Sequence, residues 1–186
     1  MNEPLSKIRW EESPQLLKIK HRWFREVHIF VLFVGLFWNG LLGLFYLDDA
    51  LPADIPTVFW VLPALHVATG LVLFYYALAG LLNATTVKVA QNHLSVCHRP
   101  MPWVGNKRLI CRDLVQLYVR EHRSQSISGT HLSYQVCALL GGSPEQKTIV
   151  LLRGLATPEQ AQFFEQKIEK YLHIQDAPVQ GEYPKP

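Results

Sequence analysis

The 186-residue sequence predicts an α+β membrane protein, a pair of bilayer-spanning helices followed by an antiparallel sheet domain that one C-terminal helix closes. Three observations carry that expectation. Two stretches stay apolar on every helical face for long enough to cross a hydrocarbon core. The hydrophobicity then falls, and short alternating runs follow, each ended by turn residues. Last comes one strongly capped amphipathic segment.

Taken in order, residues 1–26 form a basic leader. "KIRWEESPQLLKIKHRWFR" carries Lys7, Arg9, Lys18, Lys20, Arg22 and Arg25, with Leu16, Leu17, Ile19, Trp23 and Phe24 among them. That mixture suits a segment lying along the inner headgroup region, or one packed on the sheet domain. Residues 27–47 and 58–82 are the two spans, since about 20 helical residues cross a core about 30 Å thick. The loop 48–57 between them holds Asp48, Asp49 and Asp54 with no Lys or Arg. By the positive-inside rule the leader stays in the cytoplasm, the loop is exported, and both termini are cytoplasmic. The net charge of +3 therefore reflects a basic membrane face, where anionic lipid is a possible partner, and does not argue for nucleic acid.

From "TTVKVAQNHLSV" onward the pattern alternates. "LSVCHR", "KRLICR", "LVQLYVRE", "HLSYQVCALL" and "KTIVLLR" read as strands, with short loops favouring antiparallel neighbours. In "TPEQAQFFEQKIEKYL", Thr157 is an N-cap, Pro158 takes the first helical position and Gln160 the third. Ala161, Phe164, Ile168, Tyr171 and Leu172 then share one face, and Glu165, Lys167 and Glu169 are expected outside. Six or seven short strands followed by one such helix is the order of a pleckstrin-homology-like (PH-like) barrel, placed here at 83–174. Residues 175–186, rich in Pro and polar groups, are expected to be an extended or mobile tail.

Within the hairpin, antiparallel helices joined near residue 52 bring residues to equal depth when their numbers sum to about 105. Asn39 then meets His66, and Gly35, Gly43 and Gly70 line the contact. Small residues allow close helix approach, and a hydrogen bond between Asn39 and His66 would shield both from lipid. An intramembrane histidine also raises a functional reading, ligation of haem or metal by His66. A second candidate is the loop "RPMPWVGNKR", in which Arg99, Lys107 and Arg108 flank Trp103, a combination suited to lipid headgroups or a partner protein. Cys97 and Cys111 flank that loop and are candidate cross-strand neighbours, without metal-ligand spacing. The chain has no Gly-rich phosphate loop, nucleophile elbow, HExxH pattern or pair of intramembrane carboxylates. No catalytic residue, cofactor or metal is expected.

"LLNATTVKVAQNHLSVCHRPMPWVGN", "QLYVRE" and "GLATPEQAQFFEQKIEKYL" resemble a family of uncharacterised bacterial, mostly proteobacterial, proteins with two spans and a cytoplasmic PH-like domain. The resemblance implies the bacterial inner membrane. The layout is also similar to that of the photosystem I assembly factor of cyanobacteria and chloroplasts. The expectation is a non-catalytic membrane adaptor, an assembly factor or accessory subunit acting on other membrane-protein subunits. The alternatives are a haem- or metal-linked redox or transport component using His66 and an inner-leaflet lipid sensor.

Overall fold

A computed structural model describes residues 5–46, 56, 60–126, 129–141 and 147–184. The expected exported loop lies outside the described residues except for Pro56, as do Leu47, Val58 and Phe59 at the ends of the expected spans. The chain is α+β, with two apolar helices, two antiparallel sheets and a C-terminal helix. It divides into two units, one of 1–22, 84–98 and 104–186 and the other of 23–83 and 99–103.

In the first unit, strands β1 (Ile8–Ser13) and β2 (Leu16–Arg22) pair as a hairpin, with Ser13 opposite Leu16 and Ile8 opposite His21. Of the two expected placements of the leader, the structure shows the one on the sheet domain, as two of its strands. Its basic stretch has period two: Leu17 and Ile19 are fully buried, and the intervening Lys18 and Lys20 take the other face. The Ser13 hydroxyl fixes the turn, accepting from the Leu16 N–H at 3.1 Å and donating to its carbonyl at 3.0 Å. Strands β3 (Ala84–Ala90), β4 (His93–Arg99) and β5 (Lys107–Ile110) complete a five-stranded sheet of order β1-β2-β3-β4-β5. Strands β6 (Leu114–Ser126), β7 (Gly129–Leu140) and β8 (Lys147–Leu155) make a second sheet in sequence order.

Helix α3 (Pro158–Leu172) closes the core of this unit. Thr157 caps it, its hydroxyl accepting from Gln160 N at 3.4 Å, while the Gln160 amide oxygen accepts from Ala156 N at 3.2 Å. Ala161, Phe164 and Ile168 are fully buried, as their spacing predicts. Glu165 and Glu169, expected outside, are also buried. For Glu169 the cause is visible: a register shift between Leu114 and Gln116 interrupts the β6 ladder, and the carboxylate accepts from the Leu117 N–H at 2.9 Å.

The tail is extended as expected but not loose. Tyr183 N donates to Val119 O at 2.7 Å, Gln116 Nε2 donates to Ala177 O at 2.7 Å, and the Tyr183 ring meets Tyr134 edge-on at 5.2 Å. It thus covers backbone groups of β6, an edge strand of its sheet.

In the second unit, helices α1 (Glu26–Tyr46) and α2 (Val61–Leu82) pack as a hairpin, and both are long and apolar enough to span a membrane. Their side chains are mostly unburied, with Phe30, Phe33, Phe37 and Leu44 between 69% and 80% exposed. Residues 99–103 belong to this unit.

Candidate functional site

The hairpin contact is built on glycine. A Cβ on Gly70 would lie 2.7 Å from Asn39 Oδ1 and 2.8 Å from its Cγ, closer than real Cβ contacts, so only glycine leaves room for the amide. Gly35 sits against the same helix, where a Cβ would be 3.8 Å from Gly70 O. The expected pairing of Gly35 with Gly70 thus appears as close backbone approach, whereas a Cβ on Gly43 would meet nothing within 4 Å. Asn39 donates from Nδ2 to Gly35 O at 2.7 Å, a bond within its own helix. The His66 ring stacks on Trp38, with centroids 5.8 Å apart and planes 16° from parallel. Nearer the start of α1, His28 is buried against Gly80 and lies 5.6 Å from the Tyr76 ring.

The start of α1 and the end of α2 share a set of specific contacts with residues 99–103. Asn83, 1% exposed, ends α2 and grips Met101 at both backbone groups: Nδ2 donates to Met101 O at 3.1 Å, and Met101 N donates to Oδ1 at 2.7 Å. The Asn83 carbonyl accepts from Trp23 N at 3.1 Å. The Tyr75 hydroxyl donates to Pro102 O. Trp103 is then held among three rings, edge-on to Trp23 at 5.4 Å, stacked on Tyr75 at 6.3 Å and tilted to Tyr76 at 6.3 Å. Amphipathic rings gathered at the end of an apolar helix pair match the composition of a membrane–water boundary.

The four residues proposed for one basic, tryptophan-tipped loop are therefore distributed. Arg99 and Trp103 belong to the helical unit, whereas Lys107 and Arg108 are in β5 of the sheet unit. Lys107 turns away from solvent and donates to Val150 O. Burial holds its pKa below the ordinary lysine value, and the Arg153 charge adds to that. Arg108, opposite Ser95, is exposed. At the other flank, His98 Nδ1 lies 3.0 Å from the Thr85 hydroxyl, and His98 N donates to Asn106 Oδ1 at 2.8 Å. Gly105 takes φ +108°, where an L side chain is strained, and a Cβ there would crowd His98 Nε2 at 3.1 Å.

Cys97 and Cys111 are not opposite each other. Val96 pairs with Lys107 and His93 with Ile110, so the register carries Cys111 to the turn, where its N–H bonds Asn92 O at 2.9 Å. All three cysteines are free thiols, and burial pushes the Cys111 and Cys137 pKa values up, away from reactive thiolate. Among the described residues, Glu165, Asp176 and Glu182 each bring one carboxylate oxygen within 4.8 Å of the others. A hard divalent cation takes about six or more oxygens, so these three alone do not constitute a site.

Sequence reasoning missed Asn83, Tyr75, Tyr76 and Trp23. A usable signal existed: "FYY" near the end of one apolar run, with Trp23 just before the other, is the aromatic-belt pattern. Comparison with protein-family models and with curated proteins gives no match.

Proposed function

We propose that this chain is a two-span integral protein of the bacterial inner membrane whose PH-like domain stands at the cytoplasmic face and binds other membrane-protein subunits, as an assembly factor or accessory subunit without catalytic activity. One observation carries the reading. The hairpin places Gly35 and Gly70 at its contact, with Asn39 bonded to Gly35 O, and leaves Phe, Leu and Val side chains exposed along the two helices. Such a band is stable against lipid or against the helices of a partner, and costly in water. The strand unit has its own hydrophobic core, so the chain joins an apolar anchor to a folded domain. The leader cations and the acidic loop set the orientation by the positive-inside rule.

The test is purification of the tagged full chain from its own host in mild detergent, with mass spectrometry of co-purifying proteins and a visible spectrum of the same sample. Stoichiometric membrane subunits and no Soret band support the adaptor. A solitary chain contradicts a stable subunit, and a Soret band moves His66 to the position of a haem ligand.

A further inference from the structure

The five-stranded sheet distributes charge unevenly. Leu17, Ile19, Val87, Val89, Leu94 and Val96 are fully buried in the core, so by the period of two their neighbours on each strand face outward. These are Lys18, Lys20 and Arg22 on β2 and Lys88 on β3; register places Arg9 beside Lys20 and Arg108 beside Ser95 on the same side. Against six cations the outward rows hold one carboxylate among the described residues, Glu11, bonded to Lys18 at 3.0 Å. The whole chain has a formal charge of only +3, so this face holds more than the entire surplus and the rest of the molecule is net acidic.

Two pairs are set in direct opposition, Lys18 against Lys88 and Arg9 against Lys20. Like charges facing each other across a ladder destabilise a sheet. Stability alone would favour opposite signs there, so a ligand of opposite charge gives the arrangement a use. Beside them lies a hollow of 570 Å³, lined in part by Leu16, Lys88, Ala90, Ser95, Cys97 and Arg108. Its lining sets small side chains beside cationic ones.

We infer that this face docks an acidic, extended protein segment of the membrane partner, with carboxylates meeting Lys18, Lys88 and Arg108. The inference rests on the adaptor reading and gives its partner a chemistry. Arg108 offers the planar fork that matches a carboxylate, and the lysines supply point charges that draw an acidic segment into register.

The test treats the full chain in host membranes with a zero-length carbodiimide, which joins a lysine amine to a carboxylate in direct contact, before mild-detergent purification and mass spectrometry. Cross-links from Lys18 and Lys88 to Asp or Glu of a co-purifying membrane protein are expected. Lys18→Glu/Lys88→Glu/Arg108→Glu is expected to recover that protein about tenfold less well or worse. Lys147→Glu/Lys170→Glu, which reverses two exposed cations of β8 and α3, is expected to recover it as the parent does. Should the reversal impair folding, as judged by circular dichroism, the Gln versions replace it with the same expectation. Full recovery by the triple variant overturns the inference and leaves the adaptor standing; no partner with any chain overturns both. Amine labelling in nanodiscs gives the lipid arm. Equal labelling of Lys18 and Lys88 with and without phosphatidylglycerol is expected, and protection by that lipid alone overturns the inference in favour of a lipid surface.

Discussion

Replacing Asn83 by Ala tests how the 99–103 segment is held. The side chain is buried and makes two hydrogen bonds to one residue, accepting from Met101 N at 2.7 Å and donating to Met101 O at 3.1 Å. Alanine removes both and leaves the Met101 N–H without that acceptor. Two neutral hydrogen bonds at roughly 1 kcal/mol each give a loss of about 2 kcal/mol, or about 30-fold in the equilibrium for local opening. Because the segment opens without the whole chain unfolding, hydrogen exchange reads that equilibrium directly. The Met101 amide in Asn83→Ala is expected to exchange about 30-fold faster. Trp103 emission is expected to shift to the red as its contacts with Trp23, Tyr75 and Tyr76 loosen. The His98 amide, bonded to Asn106 Oδ1, serves as an internal reference. Unchanged exchange at Met101 refutes the reasoning, since it would mean that the two bonds do not hold the segment.

Other outcomes follow from the same contacts. Phe164→Ala empties the largest fully buried side chain among the described residues and is expected to destabilise the sheet unit by about 3–5 kcal/mol, measured as earlier unfolding of β1 and α3 by exchange in denaturant. Gly70→Ala forces the Asn39 amide off Gly35 O and is expected to lower hairpin stability in detergent by about 1–3 kcal/mol, whereas Gly43→Ala, with open space, is near neutral. Burial holds His98 below the ordinary histidine pKa, against the raising effect of its hydrogen bond to the Gly105 backbone, and Lys107 lowers it further. The folded state therefore favours the neutral ring. That contribution is full above about pH 6.5 and is lost as pH falls through the lowered pKa, so melting of the sheet unit should drop on acidification, and His98→Gln should remove that step.

Much of the architecture was legible because one physical pattern dominated each element. Length and unbroken apolarity gave the two helices, alternation gave β4 to β8, and Thr157, Pro158 and Gln160 gave the start of α3. Equal depth across the hairpin placed Gly35 at Gly70. The leader stayed open between an interfacial segment and one packed on the sheet domain because its alternating lysines fit both, although Leu17 and Ile19 with "SPQ" before them already spelled the hairpin that joins the sheet. Glu165 and Glu169 defied periodicity because a side-chain acceptor on α3 completes a bulged strand and the tail lies over the sheet edge, neither of which has a local signature. The grip of Asn83 on Met101, across 18 positions, is likewise tertiary. Cys97 and Cys111 looked symmetric about Trp103, but the register is set by Val96 opposite Lys107, and the symmetry fails.

The most direct measurement asks whether the hairpin is an anchor with the sheet unit on its cytoplasmic side. The full chain with a C-terminal protease site and tag is expressed in its host, and membranes are washed with alkaline carbonate before and after protease treatment of spheroplasts and of inverted vesicles. The account predicts that the chain stays in the membrane pellet and that the tag is cleaved in inverted vesicles but shielded in spheroplasts. Release of the chain by carbonate, or cleavage in intact spheroplasts, contradicts it.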